Sequence, residues 1–246
     1  CFIVAVCIFQ FLLGNPSNFM NNDPNNHPLN MLGTIYKGGV IVPVIQTLLL
    51  TVLALSIERF FALRSAFGKG SLAKFVANIK EALAAGDLKK AQEICDKQRG
   101  SVANVVTATL RKYEEMEKNT ALPKEQKLLA IQKELEEATA LEMPMMQQNL
   151  PIIATITTLG TLMGLLGTVI GMIRSFAALA AGGSADSMAL SQGISEALIN
   201  TAFGILTGAL AVISYNYYTN KIDKLTYSLD EVGSPSCRLL QLPINS

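Results

Sequence analysis

Residues 143–173 read MPMMQQNLPIIATITTLGTLMGLLGTVIGMI, and no Lys, Arg, Asp or Glu interrupts them. A hydrocarbon core of about 30 Å needs about 20 helical residues at 1.5 Å each, so this stretch is long enough to cross a bilayer. Gly38 to Ile57 and Ala197 to Asn220 are likewise uncharged apart from their flanks. Half of all residues are hydrophobic, 16% are charged and the mean hydropathy is +0.35, where soluble domains carry about a quarter charged residues. The chain therefore reads as an all-α, polytopic membrane protein, with three long transmembrane helices extending into a cytoplasmic helical bundle. A further apolar piece, Phe2 to Leu13, is too short to span. The end of a truncated helix, an interfacial segment and part of a signal region all fit it, and it stands as a candidate extra N-terminal helix.

Orientation follows from the basic residues, which collect on the cytoplasmic side of membrane proteins. Fifteen of the twenty Lys and Arg residues fall within 58–142. Lys37 precedes the first span, Arg174 alone lies between the second and third, and Lys221, Lys224 and Arg238 follow. The expected organisation is an N-terminal apolar segment and periplasmic loop (1–37), a first transmembrane helix (38–62), a cytoplasmic helical region (63–142), a transmembrane helix pair (143–220) and a cytoplasmic C-terminal tail (221–246). Turn signals divide the cytoplasmic region into helices over Leu72 to Ala85, Asp87 to Gln98 and Val102 to Lys118. After Pro123, Leu128, Ile131, Leu135 and Ala138 recur at helical spacing among Lys133, Glu134, Glu136 and Glu137, a solvated face. That pattern describes one helix running without a clear stop into the second span, bent where Pro144 and Pro151 each remove a backbone donor. From Gly233 to Ser246 no helical pattern is visible, and this end reads as disordered.

Several function classes find no residues to stand on. A net charge of +1 without a basic, aromatic-interleaved stripe gives no footprint for nucleic acid. Cys1, Cys7, Cys95 and Cys237 show neither paired spacing nor a His partner, so neither a metal site nor a disulfide framework is expected. His27, in an Asn/Pro-rich segment, reads as a solvated loop residue. No phosphate loop, nucleophile motif or HExxH is present, so no enzyme activity and no cofactor are expected.

The residue that asks for a function is Glu196, the lone carboxylate near the start of the third apolar run. An ionised side chain at bilayer depth costs about 2.5–3.5 kcal/mol on insertion scales, which makes it a functional-site candidate. No basic residue lies within a helical turn or two of it in sequence; the nearest, Arg174, belongs to the end of the preceding span. At 100° per residue, Gln192, Glu196, Asn200, Thr207 and Ser214 fall within about 80° of one another. On the second span, Thr157, Thr161, Gly164, Thr168, Gly171 and Ser175 share a face in the same way. Two readings fit these stripes. They line a hydrated path for a proton or ion, or they are packing surfaces, since Gly160/Gly164, Gly167/Gly171 and Gly204/Gly208 have GxxxG spacing and threonine hydroxyls can bond carbonyls of their own helix. Glu196 itself could sit at an interface and reach water.

Gly164-Leu165-Leu166-Gly167-Thr168-Val169-Ile170-Gly171-Met172-Ile173, together with Gly193-Ile194-Ser195-Glu196-Ala197-Leu198-Ile199-Asn200-Thr201-Ala202-Phe203-Gly204, resembles the two signature helices of the MotA/TolQ/ExbB proton-channel family, and most nearly its ExbB branch. The resemblance covers roughly residues 32–225. It implies a protein of the bacterial cytoplasmic membrane with its C-terminus in the cytoplasm. It also implies a homo-oligomer, commonly a pentamer, around the helices of an ExbD-like or TolR-like dimer, surrounded by membrane lipid. Proton flow would then energise a periplasm-spanning, TonB-like protein. The family's pathway residues map onto Glu196, Thr168 and Thr201, and the helix pair 143–220 becomes the channel core. By helical phase Thr201 lies about 140° from Glu196, which would turn it toward a neighbouring subunit. A TolQ-like role in envelope integrity and a non-conducting membrane scaffold are the alternatives.

Overall fold

The computed structural model describes residues 1–24, 28–119, 121–182 and 187–239. Among these the chain is helical, with a single isolated bridge between Phe19 and Pro28 in place of any strand. Three helices are long and apolar enough to cross a membrane. The chain divides into two compact units, Cys1–Ile57 with Asn149–Asn216, and Glu58–Gln148 with Tyr217–Ser246. His27 and residues 240–246 lie outside the described residues, as does the side chain of Cys237.

In the first unit, α1 (Phe2–Cys7) continues as a π-helical turn over Ile8–Leu13, closed by the Gly14 amide donating to the Phe9 carbonyl at 2.9 Å. The apolar N-terminal piece is thus helical. It is tied to α2 (Met31–Tyr36) by the Tyr36 ring, which stacks on Phe9 at 4.7 Å and meets Phe19 edge-on at 5.6 Å. Buried Asn18 donates to the Leu12 and Leu13 carbonyls at 2.8 and 3.1 Å and accepts from Asn30 at 2.9 Å. Asn30 in turn caps α2, accepting from the Gly33 amide at 3.0 Å, as short polar side chains do at helix starts. A Gly38–Gly39 turn leads into α3 (Ile41–Phe67).

The unit is completed by α8 (Leu150–Gly182) and the first part of α9 (Ser187–Leu239). Leu165, Leu166, Val169, Ile173 and Phe176 of α8, and Leu198, Ile205, Leu206 and Ile213 of α9, are exposed on this chain. An apolar exterior of this kind is what a lipid-facing helix surface requires.

In the second unit, α4 (Leu72–Ala84), α5 (Leu88–Gln98), α6 (Ser101–Lys118) and α7 (Lys124–Gln147) pack in sequence, α4 on α5, α5 on α6 and α6 on α7. Their buried residues include Phe75, Ile79, Ala91, Cys95, Val102, Val105, Leu110, Tyr113 and Ile131. The later part of α9 adds Ile222, Leu225 and Leu229 to the buried set, and Glu231 accepts from Lys80 at 2.7 Å. At the end of α3, Gln98 donates to the Phe67 carbonyl at 3.0 Å and accepts from the Lys69 amide through its own carbonyl at 2.6 Å. Gly68, at φ +71°, passes so close to the Arg99 carbonyl that no side chain fits there.

Two expectations are corrected. The helix after Pro123 does not run into the second span: α7 stops at Gln147, Gln148 is non-helical, and Asn149 takes the left-handed conformation at φ +65°. Asn tolerates that conformation better than most residues. Pro151 then falls in the opening turn of α8, where its missing donor has no partner to lose. The interruption is also capped by a residue the sequence reading overlooked. Arg59, 2% exposed, donates through Nη1 to the Met145 and Met146 carbonyls at 3.1 and 3.3 Å, while Glu58 balances its charge. These carbonyls belong to the last turn of α7 and have no partner within the helix, and a cation there also suits the helix dipole. The second correction is the C-terminal end, which stays helical to Leu239. Extending an existing helix avoids the nucleation penalty, so a weak local pattern suffices.

Candidate functional site

α8 and α9 form an antiparallel pair whose facing surfaces are built from glycine. A methyl group at Gly204 would lie 2.6 Å from the Gly160 carbonyl and 2.7 Å from the Gly164 Cα; one at Gly208 would lie 2.8 Å from the Thr157 carbonyl. Gly160 meets the Gly208 amide in the same way at 3.1 Å. Further along, Gly167 receives the Asn200 side chain, Gly171 faces the Gly193 carbonyl at 2.8 Å, and Gly193 packs on Ser175. Without hydrophobic driving force between helices in lipid, such close backbone approach supplies the attraction.

Several polar residues of both stripes, among them Thr157, Ser175, Asn200 and Thr207, lie along this seam. Asn200, Thr207 and Ser175 are fully buried within the single chain. Thr157, Thr161 and Ser214 are half-buried, and Gln192 is exposed. The hydroxyls largely satisfy themselves on their own helices: Thr157 donates to Ile153 at 3.3 Å, Thr161 to Thr158 at 2.9 Å, Thr207 to Phe203 at 2.8 Å, and Ser175 to Gly171 at 3.0 Å. Ser175 also reaches the Leu190 carbonyl of α9 at 3.3 Å, and Thr168 and Thr201 pair hydroxyl to hydroxyl across the two helices. Within their own helices Thr168 reaches the Gly164 carbonyl at 3.2 Å and Thr201 the Ala197 carbonyl at 3.2 Å. Thr201 thus turns toward Thr168 of its own chain.

Glu196 is buried beside this seam, one helical turn before Asn200. Its Oε1 accepts from Arg174 Nη1 at 2.8 Å, an ion pair in which the Arg side chain is 54% exposed and the Glu side chain 9%. The carboxylate also abuts Gly39, which has φ +75° and could carry no Cβ without striking Oε1. Beside it, Asn200 donates to the Gly38 carbonyl at 2.9 Å, and the Asn200 Oδ1 is buried without a partner. The Gly38–Gly39 turn therefore presses against α9 at both Glu196 and Asn200. Arg174 stands 24 positions beyond Leu150, about 36 Å along the helix, so the cluster lies toward one end of the span rather than at its middle.

Sequence proximity could not reveal these partners. Arg174 is 22 residues from Glu196 and the Gly38 carbonyl is 162 from Asn200. The available signals were Arg174 itself, a single charge in an apolar helix, and a Gly-Gly pair at a helix start. Among the described residues, no three His, Cys, Asp or Glu side chains converge in a way that could hold a metal ion.

Comparison with known proteins places relatives along most of this architecture. A model of the MotA/TolQ/ExbB proton channel family matches residues 99–231. A putative biopolymer transport protein ExbB-like 1 from Synechocystis sp. is 32% identical over 193 residues, 75% of this chain and 69% of the relative. A putative biopolymer transport protein ExbB homolog from Methanothermobacter thermautotrophicus is 26% identical over 200 residues, 79% of this chain and 66% of the relative. The Tol-Pal system protein TolQ of Pseudomonas aeruginosa is 27% identical over 124 residues, 50% of this chain and 54% of that protein. The chain thus spans about two thirds or less of the length of several curated relatives that it matches.

Proposed function

This chain belongs to the MotA/TolQ/ExbB proton channel family, and we propose that it is the proton-conducting subunit of an ExbB–ExbD-type complex that energises TonB-dependent transport across the outer membrane. The observation that carries the reading is the Glu196 carboxyl, buried in a stretch of α9 with no other charge before Lys221 and within a few residues of the Thr168–Thr201 hydroxyl pair. A carboxyl can take up and release a proton, and adjoining hydroxyls can both donate and accept, so the three supply the parts of a relay. The chain has no second carboxylate in its apolar spans, so the relay would be completed by an acidic residue on an ExbD-like or TolR-like dimer, enclosed by a homo-oligomer of this chain, commonly a pentamer in this family. The basic segment 58–142 supports a multi-pass arrangement in the cytoplasmic membrane with the C-terminus inside.

Each proton crossing releases about 2.3 kcal/mol per 100 mV of membrane potential, enough to bias a conformational step but too little to remodel a protein at once. The proposed output is therefore many small steps coupled to a periplasm-spanning partner, with no enzymatic step. A TolQ-like role uses the same chemistry, and the resemblance to TolQ of Pseudomonas aeruginosa favours keeping it as the second reading.

The test is proton flux into liposomes containing the chain co-purified with its ExbD-like partner, parent against Glu196→Gln. Loss of flux with assembly unchanged by size supports the reading. Equal flux in both, or an intact biological output from the variant, leaves a packing scaffold instead.

A further inference from the structure

The Arg174–Glu196 pair is unequal. The carboxylate is confined by the Gly39 backbone and the α8–α9 seam, whereas the guanidinium sits at the edge of the unit, more than half exposed, on a flexible side chain. Among the described residues its hydrogen bond is the one made through Nη1. Opening the pair by moving Glu196 would displace packed backbone; opening it by moving Arg174 needs only side-chain rotation.

We propose that Arg174 is a positioning residue that anchors the Glu196 carboxylate at the end of the α8–α9 seam, and that a proton reaches this carboxylate when the guanidinium swings away. This rests on the proton-conducting reading and assigns that reading its loading step. Other described charges near the elements around Glu196 do not offer the same contact. α3 has none before Glu58, α8 carries Arg174 alone, and α9 carries only Glu196 before Lys221. Lys37, in the link before α3, lies over the Phe19 ring at 5.9 Å and is influenced by Asp23. Asp186 lies outside the described residues.

The experiment compares the parent complex with Arg174→Gln and Arg174→Lys in the liposome flux assay, as a function of external pH. Assembly and thermal stability are followed for Arg174→Gln, Glu196→Gln and the double variant. The expected result is that Arg174→Gln reaches half-maximal flux at a pH at least one unit higher than the parent, because the proton no longer competes with a cation, and that Arg174→Lys restores most of the parental profile. Superimposable profiles for the parent and Arg174→Gln overturn the proposal, as does an equal shift with Arg174→Lys, which keeps the charge. If Arg174→Gln fails to assemble, the expected cause is an uncompensated buried carboxylate, and adding Glu196→Gln rescues assembly; absence of rescue overturns the proposal. Should the parent itself not conduct, the channel reading falls, and with it the loading step. Rescue in the double variant then shows only that the two residues are coupled.

Discussion

Asn200 joins the third span to the start of the first: its amide donates to the Gly38 carbonyl at 2.9 Å, and its side chain fills the space left by Gly167. One buried amide thereby contacts the head of α3 and the middle of α8 together. Removing it by Asn200→Ala leaves the Gly38 carbonyl without its donor and opens a gap over Gly167. A loss of about 1–3 kcal/mol is expected from the unsatisfied group. Asn200→Asp, which removes the donor and adds a buried charge, is expected to cost more. Thermal unfolding of the purified complex in detergent checks the order; an Asp variant as stable as the parent would show that the contact contributes little.

The glycine seam gives a sharper expectation. A Cβ at Gly204 meets the backbone of α8 at 2.6–2.7 Å, and backbone cannot rotate aside as a side chain can. Gly204→Ala is expected to destabilise by about 1–3 kcal/mol, and Gly204→Leu to prevent native pairing of the hairpin. Gly86, where a Cβ would meet nothing within 4 Å, is the control for helix-independent effects of adding a side chain, although its φ of +71° adds local strain. Melting temperatures and size-exclusion profiles separate the two sites.

Arg59 predicts a localised effect. Arg59→Met strips the last-turn carbonyls of Met145 and Met146 of their donor and removes the Arg59–Glu58 ion pair. The expected consequence is faster amide exchange over residues 140–148, at about 1–3 kcal/mol of local protection. Arg59→Lys should recover part of it, because a single ammonium cannot reproduce the forked geometry. Uniform loss across the chain would contradict a capping role.

Cys95 supplies a chemical test of the second unit. Burial pushes its thiol up to about 11, above the ordinary range, so the folded state holds the proton more tightly than the unfolded one. The stabilisation is present below the ordinary thiol value and is lost as pH rises from there through about 11. At pH 7.5, Cys95 should react with maleimide at least tenfold more slowly than exposed Cys7, and become reactive on denaturation. Peptide mass spectrometry reads each site separately; comparable native labelling would show the helices around Cys95 to be open.

Periodicity and turn residues made the cytoplasmic helices legible, because both act locally. The starts and ends of α4, α5 and α6 fall within a residue of the expected Leu72 to Ala85, Asp87 to Gln98 and Val102 to Lys118. The polar stripes were likewise readable from 100° spacing. The break at Gln148–Asn149 was not, since it depends on Asn149 adopting the left-handed conformation and on Arg59, 86 positions away from Met145, receiving the helix end. The same limit hid the partners of Glu196 and Asn200. A single chain records which groups need a partner, while the partner is chosen by tertiary contact.

The α8–α9 seam is uneven along its length. Toward Gly160 and Gly208 it is mostly backbone against backbone, with the Thr207 and Thr161 methyls alongside, whereas toward Gly167 and Gly193 the Asn200 and Ser175 side chains intrude into the facing helix. Protruding side chains fix axial register; bare backbone offers little to catch on. The pair is thus keyed at the end that holds Glu196 and smooth at the other, so a shear of one helix along its neighbour meets least resistance at the smooth end and turns about the keyed one. A disturbance of the charged cluster would be felt there as a small tilt of the far end, the geometry of a lever whose pivot is the asparagine.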